Sequence, residues 1–177
     1  MNTPTTTSDS GMVTGLFRDR DSAENAYKSV SSRGYGTDDV NLVMSDETRK
    51  LHFGDGVQTE LGTKAAEGAG IGGAIGGTLG AIAATIAAVG TAIAIPGLGL
   101  VVAGPIAAAL AGAGAGGLTG GLVGALVGWG IPQERVAHYE AGIKNGGILI
   151  GVKPRTPDDA NYFEQEWKRN RGELVYR

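Results

Sequence analysis

Residues 68–133 form an unbroken run of 66 positions without one Asp, Glu, Lys, Arg or His. Trp129 aside, its only polar side chains are Thr78, Thr85, Thr91, Thr119 and Gln133, and 20 of its residues are glycine. The glycines are spaced: Gly68, Gly72, Gly76 and Gly80 recur every four residues, as do Gly112, Gly116, Gly120, Gly124 and Gly128. Residues four apart share a face of an α-helix, and glycine on that face lets a second backbone approach closely. The run predicts a glycine-zippered helical hairpin, with these nine glycines as its helix-packing and oligomerisation residues.

The flanks have ordinary patterns. The first eleven residues are polar and lack a basic, apolar leader, so 1–11 reads as a disordered lead-in. Residues 12–17 (MVTGLF) suggest a strand. A helix follows, with Asp21 and Glu24 as a capping box, Ala23, Ala26, Tyr27 and Val30 on one face, and Gly34 as its stop. Residues 38–44 suggest a second strand, 45–48 a turn, and 49–53 (RKLHF) a third strand pairing back. Residues 54–67 read as a linker. After the run, Ile131-Pro132 opens a helix with Val136, Tyr139 and Ile143 inward. Residues 147–152 form a strand, and Thr156-Pro157-Asp158-Asp159 starts a last helix burying Ala160, Phe163 and Trp167. Residues 173–177 suit a short strand or a tail.

Without the run, the order is β-α-β-β-α-β plus a helix, the ferredoxin-like pattern. The expected class is α+β. A first part of the α/β domain with linker occupies 12–67, an inserted hairpin 68–131, and the rest of the domain with the C-terminal helix 132–177. An antiparallel hairpin returns the chain to its point of departure, which makes such an insertion tolerable.

Residues 15–45 (GLFRDRDSAENAYKSVSSRGYGTDDVNLVMS) resemble the opening of the bacterial general stress, or heat-induced stress, protein domain family. Residues 130–152 (GIPQERVAHYEAGIKNGGILIGV) resemble that family's tail motif, in which a G-I-P helix start leads to a Y-E pair and a glycine-flanked strand. The resemblance implies a bacterial, stress-associated protein with a glycine-rich apolar middle. It carries no catalytic residue onto this chain.

Residues 71–95 and 105–129, as helices, would each be about 37 Å long, against roughly 30 Å of bilayer hydrocarbon. The joining segment PGLGLVVAG has no polar side chain. A tip emerging into water would carry some, so this one is expected to stay buried, in lipid or among copies of the chain. Its non-helical backbone then needs partners, since unsatisfied groups cost several kcal/mol in hydrocarbon. The expected partners are the chain itself, as a homo-oligomer, and a lipid bilayer. Both flanks would lie on the cytoplasmic side of the cell membrane. The alternative is a cytoplasmic soluble assembly whose hairpins form a shared core.

Chemistry is sparse. A net charge of −3 without a basic tail gives no nucleic-acid footprint, and the absence of cysteine removes thiol catalysis and thiolate metal sites. Residues 68–73 and 112–117 satisfy G-x-G-x-x-G, but neither has the acid about 20 residues on that a dinucleotide site requires. His52, placed in an edge-like strand, and His138 lack metal-ligand spacing. Lys168, Arg169, Arg171 and Arg177 fit a helix C-terminus better than a lipid-headgroup patch. No catalytic, cofactor or metal site and no small-molecule substrate is expected. The leading expectation is a non-enzymatic, self-associating, membrane-associated stress protein serving as a scaffold or membrane-embedded oligomer. A soluble self-assembling protein is the alternative, and a ligand sensor working through the ferredoxin-like domain is third.

Overall fold

The structure, a computed structural model, describes residues 11–53, 82, 93–95, 99–107 and 121–177. In chain order the elements are β1 (Val13–Phe17), α1 (Arg20–Ser31), a 3-10 turn (Thr37–Asp39), β2 (Val40–Ser45), α2 (Asp46–Phe53), β3 (Ile93–Ile95) and β4 (Leu100–Ala103). Then come α3 (Gly121–Gly128), α4 (Gln133–Lys144), β5 (Ile148–Val152), α5 (Pro157–Arg169) and β6 (Glu173–Tyr176). The class is α+β, as the sequence predicts. The helical faces are also as expected: Ala23, Ala26, Tyr27 and Val30 of α1, Val136, Tyr139 and Ile143 of α4, and Ala160, Phe163 and Trp167 of α5 are all buried. Thr156 caps α5 by accepting the Asp159 N–H at 3.1 Å, with proline at the first position. The last residues are a strand.

Three expectations fail. The cap of α1 is Asp19, which accepts the Ser22 N–H at 2.8 Å, and not Asp21. Glu24, assigned to that capping box, turns away and meets the Ile82 N–H with both carboxylate oxygens at 3.3 Å. Second, 49–53 is not a strand but the body of α2, so His52 sits on a helix. Ser45 accepts the Thr48 N–H at 2.9 Å, and Asp46 pairs with both Arg49 and Lys50 at 2.9 Å, one turn along. A serine cap with acids in the first turn outweighs the short alternation of RKLHF.

Third, the strand that pairs back on β2 comes from inside the uncharged run. β4 lies antiparallel to β2, with Ser45 opposite Leu100 and Leu42 opposite Ala103, and β3 pairs with β4. The expected helix over 71–95 therefore does not extend through 93–95, and Leu100–Ala103 of the apolar tip is a strand paired with Ile93–Ile95. Leu100, Val101, Val102 and Ala103 of that tip are buried, not in lipid or among copies of the chain but in the protein's own sheet, whereas Gly99 is exposed and 96–98 lie outside the described residues. β2 supplies the backbone partners that neighbouring subunits were expected to provide. Both ends of β4 are pinned, since Asp46 N donates to Gly99 O at 2.7 Å and Ile106 N donates to Asn41 Oδ1 at 3.0 Å. Gly104, at φ +103°, packs against the Val40–Asn41 backbone where a side chain would collide.

The described residues form a sheet of six strands in the order β3-β4-β2-β5-β1-β6, and every described pairing is antiparallel. β1 and β2 flank β5 and are joined by α1, a split βαβ unit. Both faces are covered. Phe17, Leu42, Met44, Val101 and Ile150 pack with α1 and α5 on one side; Leu16, Val43, Val102 and Leu149 pack with α3 and α4 on the other. Burial on both faces explains why these strands read as continuous apolar runs. Trp167 anchors the first layer. Its Nε1 donates to Ala26 O and Ser29 Oγ, both at 3.2 Å, and its ring lies edge-on to Phe17 with centroids 5.8 Å apart.

Candidate functional site

Of the nine zipper glycines, Gly68, Gly72, Gly76, Gly80, Gly112, Gly116 and Gly120 lie outside the described residues. Gly124 and Gly128 fall on α3. This helix docks on the sheet through Leu126, which is fully buried in the second layer. Its C-terminus is closed by a Schellman arrangement: Ile131 N donates to Leu126 O at 3.1 Å and Gly130 N to Val127 O at 2.8 Å, with Gly130 at φ +79°. Leu126 and Ile131 share the apolar contact that accompanies this motif. Among the described residues nothing covers the other face of α3. Val123 and Val127 are 42% and 41% exposed, and a side chain added at Gly124 would meet no atom within 4 Å. Among the described residues no helix is long and apolar enough to cross a membrane.

The α3–α4 turn forms one wall of a half-open cavity of about 450 Å³ at the end of the sheet where β1 begins and β5 and β6 finish. Trp129, Ile131 and Pro132 line it from the turn, Met12 and Thr14 from the start of β1, Arg135 from the first turn of α4, and Lys153 and Arg177 from just past β5 and β6. The Trp129 ring presses on Gly151, where a side chain would come within 2.8 Å of it. Its Nε1 is buried without a hydrogen-bond acceptor. The Arg135 guanidinium stacks on Tyr176, 4.1 Å from the ring centre, and makes no hydrogen bond or ion pair with another described residue. Arg177 is turned to α5, where it meets Glu164 at 2.9 Å and donates to Asn161 at 2.6 Å.

Beneath the cavity floor Thr14 Oγ1 donates to Tyr139 Oη at 2.8 Å, and Tyr139 Oη donates to Leu174 O at 2.7 Å. Burial pushes the Tyr139 phenol up to about 12, the Thr14 hydrogen bond opposing it in part. On the far side of the sheet, burial also raises Tyr35, whose hydroxyl donates to Asp159 and accepts the Arg155 N–H. The basic residues considered for headgroups are occupied: Lys168 by Glu164, Arg169 by Glu166, Arg171 by Asp19 and Arg177 by Glu164. His52 and His138 do not meet a metal-binding group; among the described residues no cluster of three or more His, Cys, Asp or Glu could hold a metal ion.

No protein-family model, curated protein or solved structure matches this chain. Sequence reasoning missed the cavity because its walls come from four separated places in the chain, each with an ordinary local explanation.

Proposed function

We propose that this chain is a non-enzymatic, self-associating protein whose uncharged, glycine-spaced segment is its association element, working as a scaffold at or in a lipid bilayer. The observation that carries this reading is the outward face of α3: Val123, Gly124 and Val127 stand exposed on a helix docked through Leu126. Exposed valines beside a glycine make a face on which a second backbone can lie closely. The remaining zipper glycines extend the same four-residue spacing. The ferredoxin-like reading of the scaffold is supported by two split βαβ units, β1-α1-β2 around β5 and β5-α5-β6 around β1, which make β5 the third strand, α5 the second helix and β6 the fourth strand, with the uncharged run entering between β2 and β5. A stress association rests on the resemblance of residues 15–45 and 130–152.

Gly124→Leu tests the association directly. Open space for a Cβ at Gly124 means the substitution does not disrupt the fold, and exchanging a mid-helix glycine for leucine favours the helix by up to about 1 kcal/mol, so the variant's circular dichroism spectrum is expected to stay that of the folded protein. Analytical ultracentrifugation, in buffer and in mild detergent, is expected to show a wild-type oligomer and a smaller species for the variant. An unchanged oligomer sinks the zipper reading. Alkaline washing of membrane fractions separates the bilayer version, in which the protein stays with the membrane, from the assembly held together without lipid.

A further inference from the structure

The cavity at the end of the sheet has a composition that self-association does not use. Its described walls combine an apolar part, Met12, Ile131, Pro132 and the Trp129 ring, with Thr14 and three basic residues, Arg135, Lys153 and Arg177, and no Asp or Glu lines it. Arg135 is half-buried, and its guanidinium offers a planar fork of five N–H donors and no acceptor. Here the fork is held in place by its stack on Tyr176, 4.1 Å away, and has no hydrogen-bond or ion-pair partner among the described residues. A guanidinium ordered by an aromatic face, with its N–H edge unused, is pre-organised for a bidentate oxyanion. In the same wall the buried Trp129 Nε1 is a second donor without an acceptor. The volume of about 450 Å³ lies in the range of small-molecule sites, roughly 300–1,000 Å³.

We infer that this cavity binds a small organic carboxylate with an apolar, ring-sized body. The carboxylate meets the Arg135 fork, and the body lies against Trp129, Ile131, Pro132 and Met12. The sheet end forms a rigid floor, since Thr14 in the lining is tied to Tyr139 and Tyr139 to Leu174. Trp129 and Ile131 belong to the turn that ends α3, so an occupant touches the same turn that presents the Val123–Val127 face.

The full-length protein is titrated calorimetrically with 2-naphthoate, with the neutral 2-naphthamide and with inorganic phosphate. Saturable naphthoate binding is expected, with the amide at least about tenfold weaker, the difference a charge-assisted pair contributes, and no measurable binding of phosphate, which has no apolar body. Equal binding of acid and amide, tighter binding of phosphate, or no naphthoate binding at millimolar concentration overturns the inference. Location is read on the wild-type protein: the Trp129 indole N–H resonance shifts on adding naphthoate while the core Trp167 resonance stays. A shift at Trp167 alone, or at neither, overturns it. Arg135→Gln, with an unchanged circular dichroism spectrum, is expected to weaken naphthoate at least about tenfold, and undiminished binding refutes the role of Arg135. If that variant does not fold, the acid–amide comparison and the indole resonances decide the question on the wild type.

Discussion

Two side chains show how far single residues hold the molecule together. Tyr139 is fully buried and joins three elements: it sits on α4, accepts from Thr14 of β1 and donates to the Leu174 carbonyl of β6. Tyr139→Phe removes the hydroxyl and leaves the Leu174 carbonyl and Thr14 hydroxyl without their partner, a cost of about 1–3 kcal/mol. Urea denaturation measures it. The same phenol imposes a pH dependence. Its folded pKa, about 12, lies above the ordinary 10, so the folded state holds the proton more tightly. Its contribution is complete below pH 10 and is lost as pH rises towards 12. Alkaline unfolding profiles are expected to lose that part of their slope in Tyr139→Phe. Arg171 is the opposite case. It takes φ 61° just after α5, beside Gly172, whose N–H closes the helix on Trp167 O at 2.8 Å. A left-handed conformation costs a non-glycine residue about 1–2 kcal/mol, and the exposed contact of Arg171 with Asp19 at 3.5 Å offsets little of it. Arg171→Gly is therefore expected to raise stability by about 0.5–1 kcal/mol, read as a higher denaturation midpoint.

At the scale of elements, α2 is where local chemistry and short-range pattern disagree. If residues 46–53 owe their helix to the Ser45 cap, Ser45→Ala costs about 1 kcal/mol and lowers helical circular dichroism; a strand at 49–53 would lose neither. The other helices were legible for the same reason that α2 should have been. α5 announces itself by Thr156-Pro157-Asp158-Asp159, and α1 by apolar residues at helical spacing. β4 was not legible, because Leu100-Val101-Val102-Ala103 is buried on both faces and has no polar alternation to distinguish it from a buried helix. What decides its state is the free edge of β2, a tertiary fact. Gly124 was legible as a spaced small residue, but its outward direction was not. That depends on Leu126 facing the second layer. The cavity was illegible because Met12, Trp129, Arg135, Lys153 and Arg177 acquire a common wall only after β1, β5 and β6 are in register.

The sheet, covered on both faces and extended by β3 and β4, restricts how the whole molecule can engage a bilayer. A continuous helix through 93–103 would have to pull β3 and β4 out of the sheet. The side chains of β4 would find lipid in place of protein, but β2 would become an edge and Leu42, Val43 and Met44 would lose the strand beside them. Partly uncovering such side chains costs a share of the roughly 1.5–3 kcal/mol each gains from full burial, and the pinned ends at Gly99 and Ile106 would be lost as well. A bilayer-associated form that keeps this fold therefore keeps β4 in the sheet and offers lipid other parts of the uncharged run. Hydrogen–deuterium exchange with mass spectrometry tests this on the full-length protein, with and without vesicles of mixed neutral and anionic lipid. Peptides covering residues 100–103 are expected to exchange as slowly with vesicles as without, along with those covering β2. Faster exchange in both peptides on adding vesicles would mean that the strand leaves the sheet to enter the membrane, and that the α+β fold described here belongs only to the lipid-free protein.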